Sequence, residues 1–267
     1  TPPTPTPPPI KVPTGATLQT RFHPPHGYVR TEADAGSFGA YLRALPLKGD
    51  GSRVLFYDGT ERGDAPQAAV VSLSIDRTPL QQGPRAMVRL RAEYLYASGQ
   101  TELIVYHFLS GFTFPFSKWC EGYRVEVDGS DVEWVSKGDP SDPPDYDALL
   151  HYLATLFIYC NTQSMLLMDL VPASDMRQGD VFINKSSGAV MVVDTAVNED
   201  TGDVVFMLAQ SPMPTQEIYI LQNRLKPALS PWYSMADLYP LLTPGDGSFE
   251  SADLVRFNEQ EPPTSDN

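Results

Sequence analysis

The side chains best suited to nucleophilic or metal chemistry in this chain are two cysteines, Cys120 and Cys160, and four histidines, His23, His26, His107 and His151. A cysteine attacks as its thiolate. It needs a base within hydrogen-bond reach and usually a third polar group to orient that base. His151 and Cys160 cannot meet on one helix, because nine residues at 1.5 Å each separate them by roughly 13 Å along the axis. Cys160 with His107 stays open as a long-range pair, against the alternative of a core cysteine in an apolar helical pattern. The two cysteines allow one disulfide in an oxidising compartment or two buried thiols. His23 and His26 flank Pro24-Pro25 without a third ligand nearby, so a surface proline turn accounts for them better than a metal site.

No glycine loop for phosphate, no zinc spacing and no serine elbow is present. Glu199-Asp200 and the neighbouring Asp142 and Asp145 read as solvated turns. Asp58-Gly59-Thr60 and Asp246-Gly247-Ser248 are isolated turns rather than calcium loops. No metal and no cofactor is expected.

Composition narrows the partners. With 19 basic and 33 acidic residues among 267, the formal charge is −14 and the pI about 4.6. A field of that sign repels phosphate backbones and anionic headgroups, so no nucleic acid is expected. Apolar content of 42% supports a real core. No apolar run approaches the roughly 20 residues that span a bilayer, so no transmembrane segment is expected. Residues 1–20, opening TPPTPTPPPIKVP, read as a proline-rich flexible leader, 21–258 as one α+β domain and 259–267 as a disordered tail. A spacer of this kind suits an exported protein, periplasmic or lipid-anchored at the cell envelope.

The positioning elements follow from pattern and caps. Ser37 caps a short helix over Phe38–Leu45, ended by Pro46. Leu80-Gln81-Gln82-Gly83-Pro84 leads into a helix over Pro84–Ala97, with proline at the first helical position. Its arginines, Arg85, Arg89 and Arg91, are placed on the exposed face, with Arg89 four residues before Glu93. Val54–Tyr57, Ala68–Ile75 and Glu102–Leu109 read as strands, and Gly111–Phe116 as an aromatic loop. Tyr123–Val127 and Val132–Val135 pair as a hairpin. Asp145 caps a largely buried helix over Tyr146–Cys160. After Gly179-Asp180, the runs Val181–Ile183, Ala189–Val193 and Val204–Ala209 form an antiparallel meander. These runs are continuous rather than alternating, which predicts strands covered on both faces.

A helix, then strands, a buried helix and Gly-Asp before a meander resembles papain-like cysteine hydrolases of the cell-wall peptidase type. More closely, the chain resembles a bacterial family defined only as a domain of unknown function, family 4846. The similar stretches are SFGAYLRALPLK (Ser37–Lys48), LQQ (Leu80–Gln82), RLRAEYLY (Arg89–Tyr96), GDVFI (Gly179–Ile183), AVMVVD (Ala189–Asp194), LAQS (Leu208–Ser211) and SPWY (Ser230–Tyr233).

The resemblance implies a nucleophilic cysteine directly after LQQ and a histidine just before AVMVVD, and this chain carries Gly83 and Gly188 there. No histidine follows position 151, so no meander strand can supply the base. The chain is therefore expected to hold an α+β, papain-like core with an antiparallel meander packed on a buried helix, plus N-terminal additions. It would lack the catalytic dyad. A surviving cleft would be lined by Gln81, Gln82, Gly83, Gly188, Asp194 and Gln210, with no catalytic residue. The implied role is binding or scaffolding in the cell envelope, toward envelope components or a peptide or cell-wall-like ligand. The rival is a cysteine hydrolase or acyltransferase using Cys160 or an unrecognised site.

Overall fold

The computed structural model describes residues 8–76, 78–138, 140, 144–245 and 247–258. Positions 1–7 of the expected leader, the expected tail at 259–267, and the turn residues Asp142 and Asp246 lie outside the described residues.

In chain order the elements begin with α1 (Leu18–Arg21), β1 (Val29–Arg30), α2 (Phe38–Arg43), β2 (Gln67–Val70) and α3 (Pro84–Ala97). There follow β3 (Val105–His107), β4 (Thr113–Pro115), α4 (Phe116–Cys120), β5 (Tyr123–Asp128), β6 (Asp131–Ser136), α5 (Tyr146–Tyr159) and α6 (Thr162–Ser164). The second half runs β7 (Leu170–Pro172), β8 (Val181–Asn184), β9 (Gly188–Val197), β10 (Val204–Gln210), β11 (Tyr219–Leu221), β12 (Trp232–Ser234), β13 (Leu241–Thr243), β14 (Gly247–Phe249) and β15 (Leu254–Phe257). The class is α+β.

The meander forms the centre of a sheet of nine strands among the described residues. Its path is β2-β11-β10-β9-β8-β15-β7, with β1 paired to β9 and β12 to β10. Every pairing in it is antiparallel. Alternate side chains of a strand point to opposite faces, so a continuous apolar run needs a cover on both. Val181, Ile183, Met191, Val193, Val205 and Met207 join the core that contains α3 and α5. Phe182, Val190, Val192, Phe206 and Leu208 join a second core with Tyr233, Leu241 and Phe249 on the other face.

The helix ends follow their caps. Ser37 Oγ accepts from Ala40 N, and Asp145 Oδ1 accepts from Ala148 N at 2.7 Å. Pro84 opens α3. The chain folds earlier than position 21: Leu18 is fully buried, and Lys11 bridges to Phe22. Val54–Tyr57 makes only isolated bridges, from Leu55 to Glu61 and from Phe56 to Gln216. The expected strand at Glu102 begins instead as a short 3-10 turn over Thr101–Leu103. Phe116–Cys120 is a helix rather than the end of a loop, carried into place by a buried aromatic cluster of Phe108, Phe114, Trp119 and Tyr152.

Candidate functional site

Four of the expected positions arrive at one place from three separate parts of the chain. Gly83 is the N-cap of α3, with φ +55° and ψ −129°, a conformation that glycine adopts without a Cβ penalty. Its N–H donates to Ser211 O at 2.5 Å, which ties the start of α3 to the residue after β10. Gly188 opens β9 opposite Asn184, with φ +79°. The turn before it is held by Asn184 Oδ1, which accepts from the N–H groups of Ser186 and Ser187. Gln210 ends β10, and its Nε2 donates to Tyr219 Oη at 2.7 Å. Gln82, Gly83, Gly188 and Gln210 line a common cleft of about 360 Å³, together with Arg85, Asn161, Lys185 and Met213.

At both glycines an added Cβ would meet no atom within 4 Å. Space therefore does not exclude a side chain at either position; only the positive φ disfavours one. Among the described residues the cleft lining includes no thiol, imidazole or carboxylate, while Arg85 and Lys185 bring positive charge. In a chain of formal charge −14 that is a local reversal of sign.

Gln81 and Asp194 do not line this cleft. Gln81 is fully buried, and its Oε1 accepts from Arg89 Nη1 at 3.0 Å and from Thr78 Oγ1 at 3.2 Å. Asp194 is also fully buried, with Arg43 Nε at 2.6 Å from Oδ1 and Arg30 Nε at 2.7 Å from Oδ2. A bulge puts it there: Met207 pairs with Asp194 but Leu208 pairs with Val192, so β9 holds one extra residue at that step. The strand then continues to Val197 rather than ending at Asp194.

Arg89 and Glu93 are a correction of the same kind. The exposed i,i+4 pair expected on α3 is buried, at 1% and 6% exposure. Arg89 Nε donates to Glu93 Oε1 at 2.6 Å, and Tyr146 Oη donates to the same oxygen at 2.7 Å. The helix is packed against α5 and the Thr78–Gln81 turn, so the Arg89–Glu93 pair has no solvent to meet, while Arg85 and Arg91 stay partly exposed. This network holds the approach to Gly83.

Cys120 and Cys160 are separate buried thiols. Burial pushes the Cys160 thiol up to about 12, outweighing the opposite pull of Arg85. At that value only about one thiol in ten thousand would be thiolate at pH 8. His107, its open partner in the sequence, has Nδ1 2.7 Å from Asp169 Oδ1. Iodoacetamide should leave Cys160 unmodified in the native protein and label it after unfolding, as read by peptide mass mapping. Rapid native labelling would return Cys160 to consideration as a nucleophile.

A family model described as a domain of unknown function (4846) matches residues 18–256. The chain belongs to this family. The matched span begins at Leu18, the first residue of α1, and ends inside β15, so the family unit takes in the sheet, all but the last residue of β15, and its covering helices. No curated protein and no solved structure gave a significant match.

Proposed function

We propose that the chain is a catalytically degenerate papain-like domain whose cleft binds rather than cleaves. One observation carries this: Gly83 at a helix N-terminus and Gly188 at the opening of a meander strand line the same cleft, with Gln210 on the adjacent strand. A thiol, a base and an orienting group would need that arrangement. Glycine supplies neither nucleophile nor base, and losing both members of a dyad removes it as a unit. The positive rim from Arg85 and Lys185, without an opposing carboxylate among the described lining residues, favours a ligand carrying a carboxylate, such as a peptide or a cell-wall-like peptide. Action in the cell envelope as a binding or scaffolding part belongs to the same proposal and rests on the family resemblance. Recovery of the native protein wholly in the cytoplasmic fraction would remove that half.

The cleft is tested by restoring the chemistry. Gly83→Cys with Gly188→His should place a thiol beside an imidazole, so the introduced thiol should titrate below the usual value of about 8.5. Each substitution enters a positive-φ position and should cost about 1–3 kcal/mol, so melting curves accompany the titration. The measurement is the alkylation rate against pH for the double variant and for Gly83→Cys alone. Identical profiles in two folded variants would show that the positions do not address one another.

A further inference from the structure

A second, larger cavity of about 840 Å³ lies further along α3. Arg91 is eight residues beyond Gly83, roughly 12 Å along the axis at 1.5 Å per residue. Residues of α2, α3, β3, the Asp169 turn and β15 contribute to the wall, so the cavity is roofed by elements from both ends of the chain. Its volume falls in the range usual for small-molecule sites.

Two deeply buried polar atoms belong to residues of that wall and have no hydrogen-bond partner. Asp169 is 3% exposed and Tyr106 4%. Asp169 Oδ1 is engaged by His107, but its Oδ2 is unpartnered, and so is Tyr106 Oη. Leaving such groups unmatched costs about 1–3 kcal/mol each, more when charged. Burial holds the Asp169 carboxyl above its ordinary range despite the His107 contact.

The cavity's cations are not equivalent. Arg256 is bound to both oxygens of Asp180, at 2.7 and 2.8 Å, and Arg177 is bound to Asp175. Arg91 instead lies over the rings of Phe38 and Tyr94, 5.1 and 5.2 Å from their centroids. Among the described residues it has no carboxylate partner. Stacking leaves the edge of a guanidinium free to donate.

As folded, Asp169 Oδ2 and Tyr106 Oη expose almost no surface. We infer that this cavity is a binding site for a small amphoteric ligand of the amino-acid or short-peptide class, the Asp169 and Tyr106 side chains turning toward it so that the ammonium group donates to Asp169 Oδ2 and the carboxylate accepts from Arg91 and Tyr106. A neutral polyol would satisfy hydrogen bonds but leave the guanidinium without a counter-charge; a simple anion would leave Asp169 without a donor. A ligand bearing both groups answers both. Phe38, Leu95 and Leu103 supply apolar wall for a side chain. This site is independent of the cleft at Gly83 and Gly188 and stands if that proposal fails.

The test is calorimetric titration of the intact chain with leucine and with glycyl-leucine, beside N-acetyl-glycyl-leucine and glycyl-leucine amide. At least one of the two amphoteric probes should bind, and which one does distinguishes a free amino acid from a peptide. Acetylation or amidation should each weaken binding by about tenfold or more, since hydrogen bonds to charged groups are involved. Asp169→Asn should remove the preference for a free ammonium, and Arg91→Gln the preference for a free carboxylate. Tyr106→Phe, which deletes one oxygen, should weaken binding several-fold and serves if Asp169→Asn does not fold. Absence of binding by both amphoteric probes at about 10 mM overturns the inference. Binding that is unchanged in Arg91→Gln and Tyr106→Phe overturns it equally.

Discussion

Asp194→Ala is expected to destabilise the fold by about 3–5 kcal/mol, the cost of breaking a buried ion pair from one side. The carboxylate is fully buried and lies within 2.7 Å of two arginines, Arg43 at 9% and Arg30 at 20% side-chain exposure. Its removal strands Arg43 in a site built for a counter-charge, while Arg30 can recover part of its loss through water. Oδ1 also accepts from Thr195 N at 2.9 Å, so a backbone donor beside the bulge loses its partner. For a domain of this size the loss corresponds to a fall in Tm on the order of 10 °C. Thermal unfolding followed by circular dichroism reads it directly. A compensating Arg43→Met in the Asp194→Ala background should cost less than the two changes summed, because one buried charge goes with the other. A drop under about 1 kcal/mol would mean that solvent screens the cluster, as at an exposed pair.

Phe114→Ala should cost a similar amount, about 3–5 kcal/mol, by transfer loss and cavity creation. The ring is fully buried and stacks on Tyr152 at 4.6 Å with a 5° interplanar angle. On its other neighbour, Trp134, the separation is 5.2 Å and the angle 10°. Trp119 meets it edge-on at 6.0 Å. Through these contacts one side chain joins β4, α4, the β5–β6 hairpin and α5. Tyr152 Oη donates to the carbonyl of Phe114, a bond that alanine retains, so the loss reports packing rather than hydrogen bonding. Urea unfolding should show a lower midpoint, and near-ultraviolet dichroism a weaker aromatic signal. An unchanged midpoint would mean that the cluster closes over the gap without cost.

The expectations that held were those with local causes. Pro84 and the apolar spacing of Met87, Leu90 and Tyr94 bound α3 at Pro84–Ala97, and Asp145 started α5 where a capping carboxylate should. The three runs between Val181 and Ala209 became adjacent strands buried on both faces, because continuous apolar sequence at a two-residue period leaves neither face for water. Gly83, Gly188 and Gln210 reached one cleft because each sits at the end of such an element.

The sequence by itself thus determined the two long helices α3 and α5 and the three central strands, and that no histidine stands on the meander. Tertiary structure decided the rest. The bulge opposite Met207 and Leu208 turned Asp194 toward arginines more than 150 positions away. Enclosure by α5 converted a surface-type Arg89–Glu93 pair into a buried network. Pairing with β8 and β7 made a strand of Leu254–Phe257. The cavity at Tyr106 and Asp169 is closed by residues as far apart as Glu32 and Asn258. Periodicity, caps and turn residues act over a few positions and can be read along the chain. Burial of a charge, or the meeting of two polar groups across a cavity, depends on long-range packing, which local sequence does not encode.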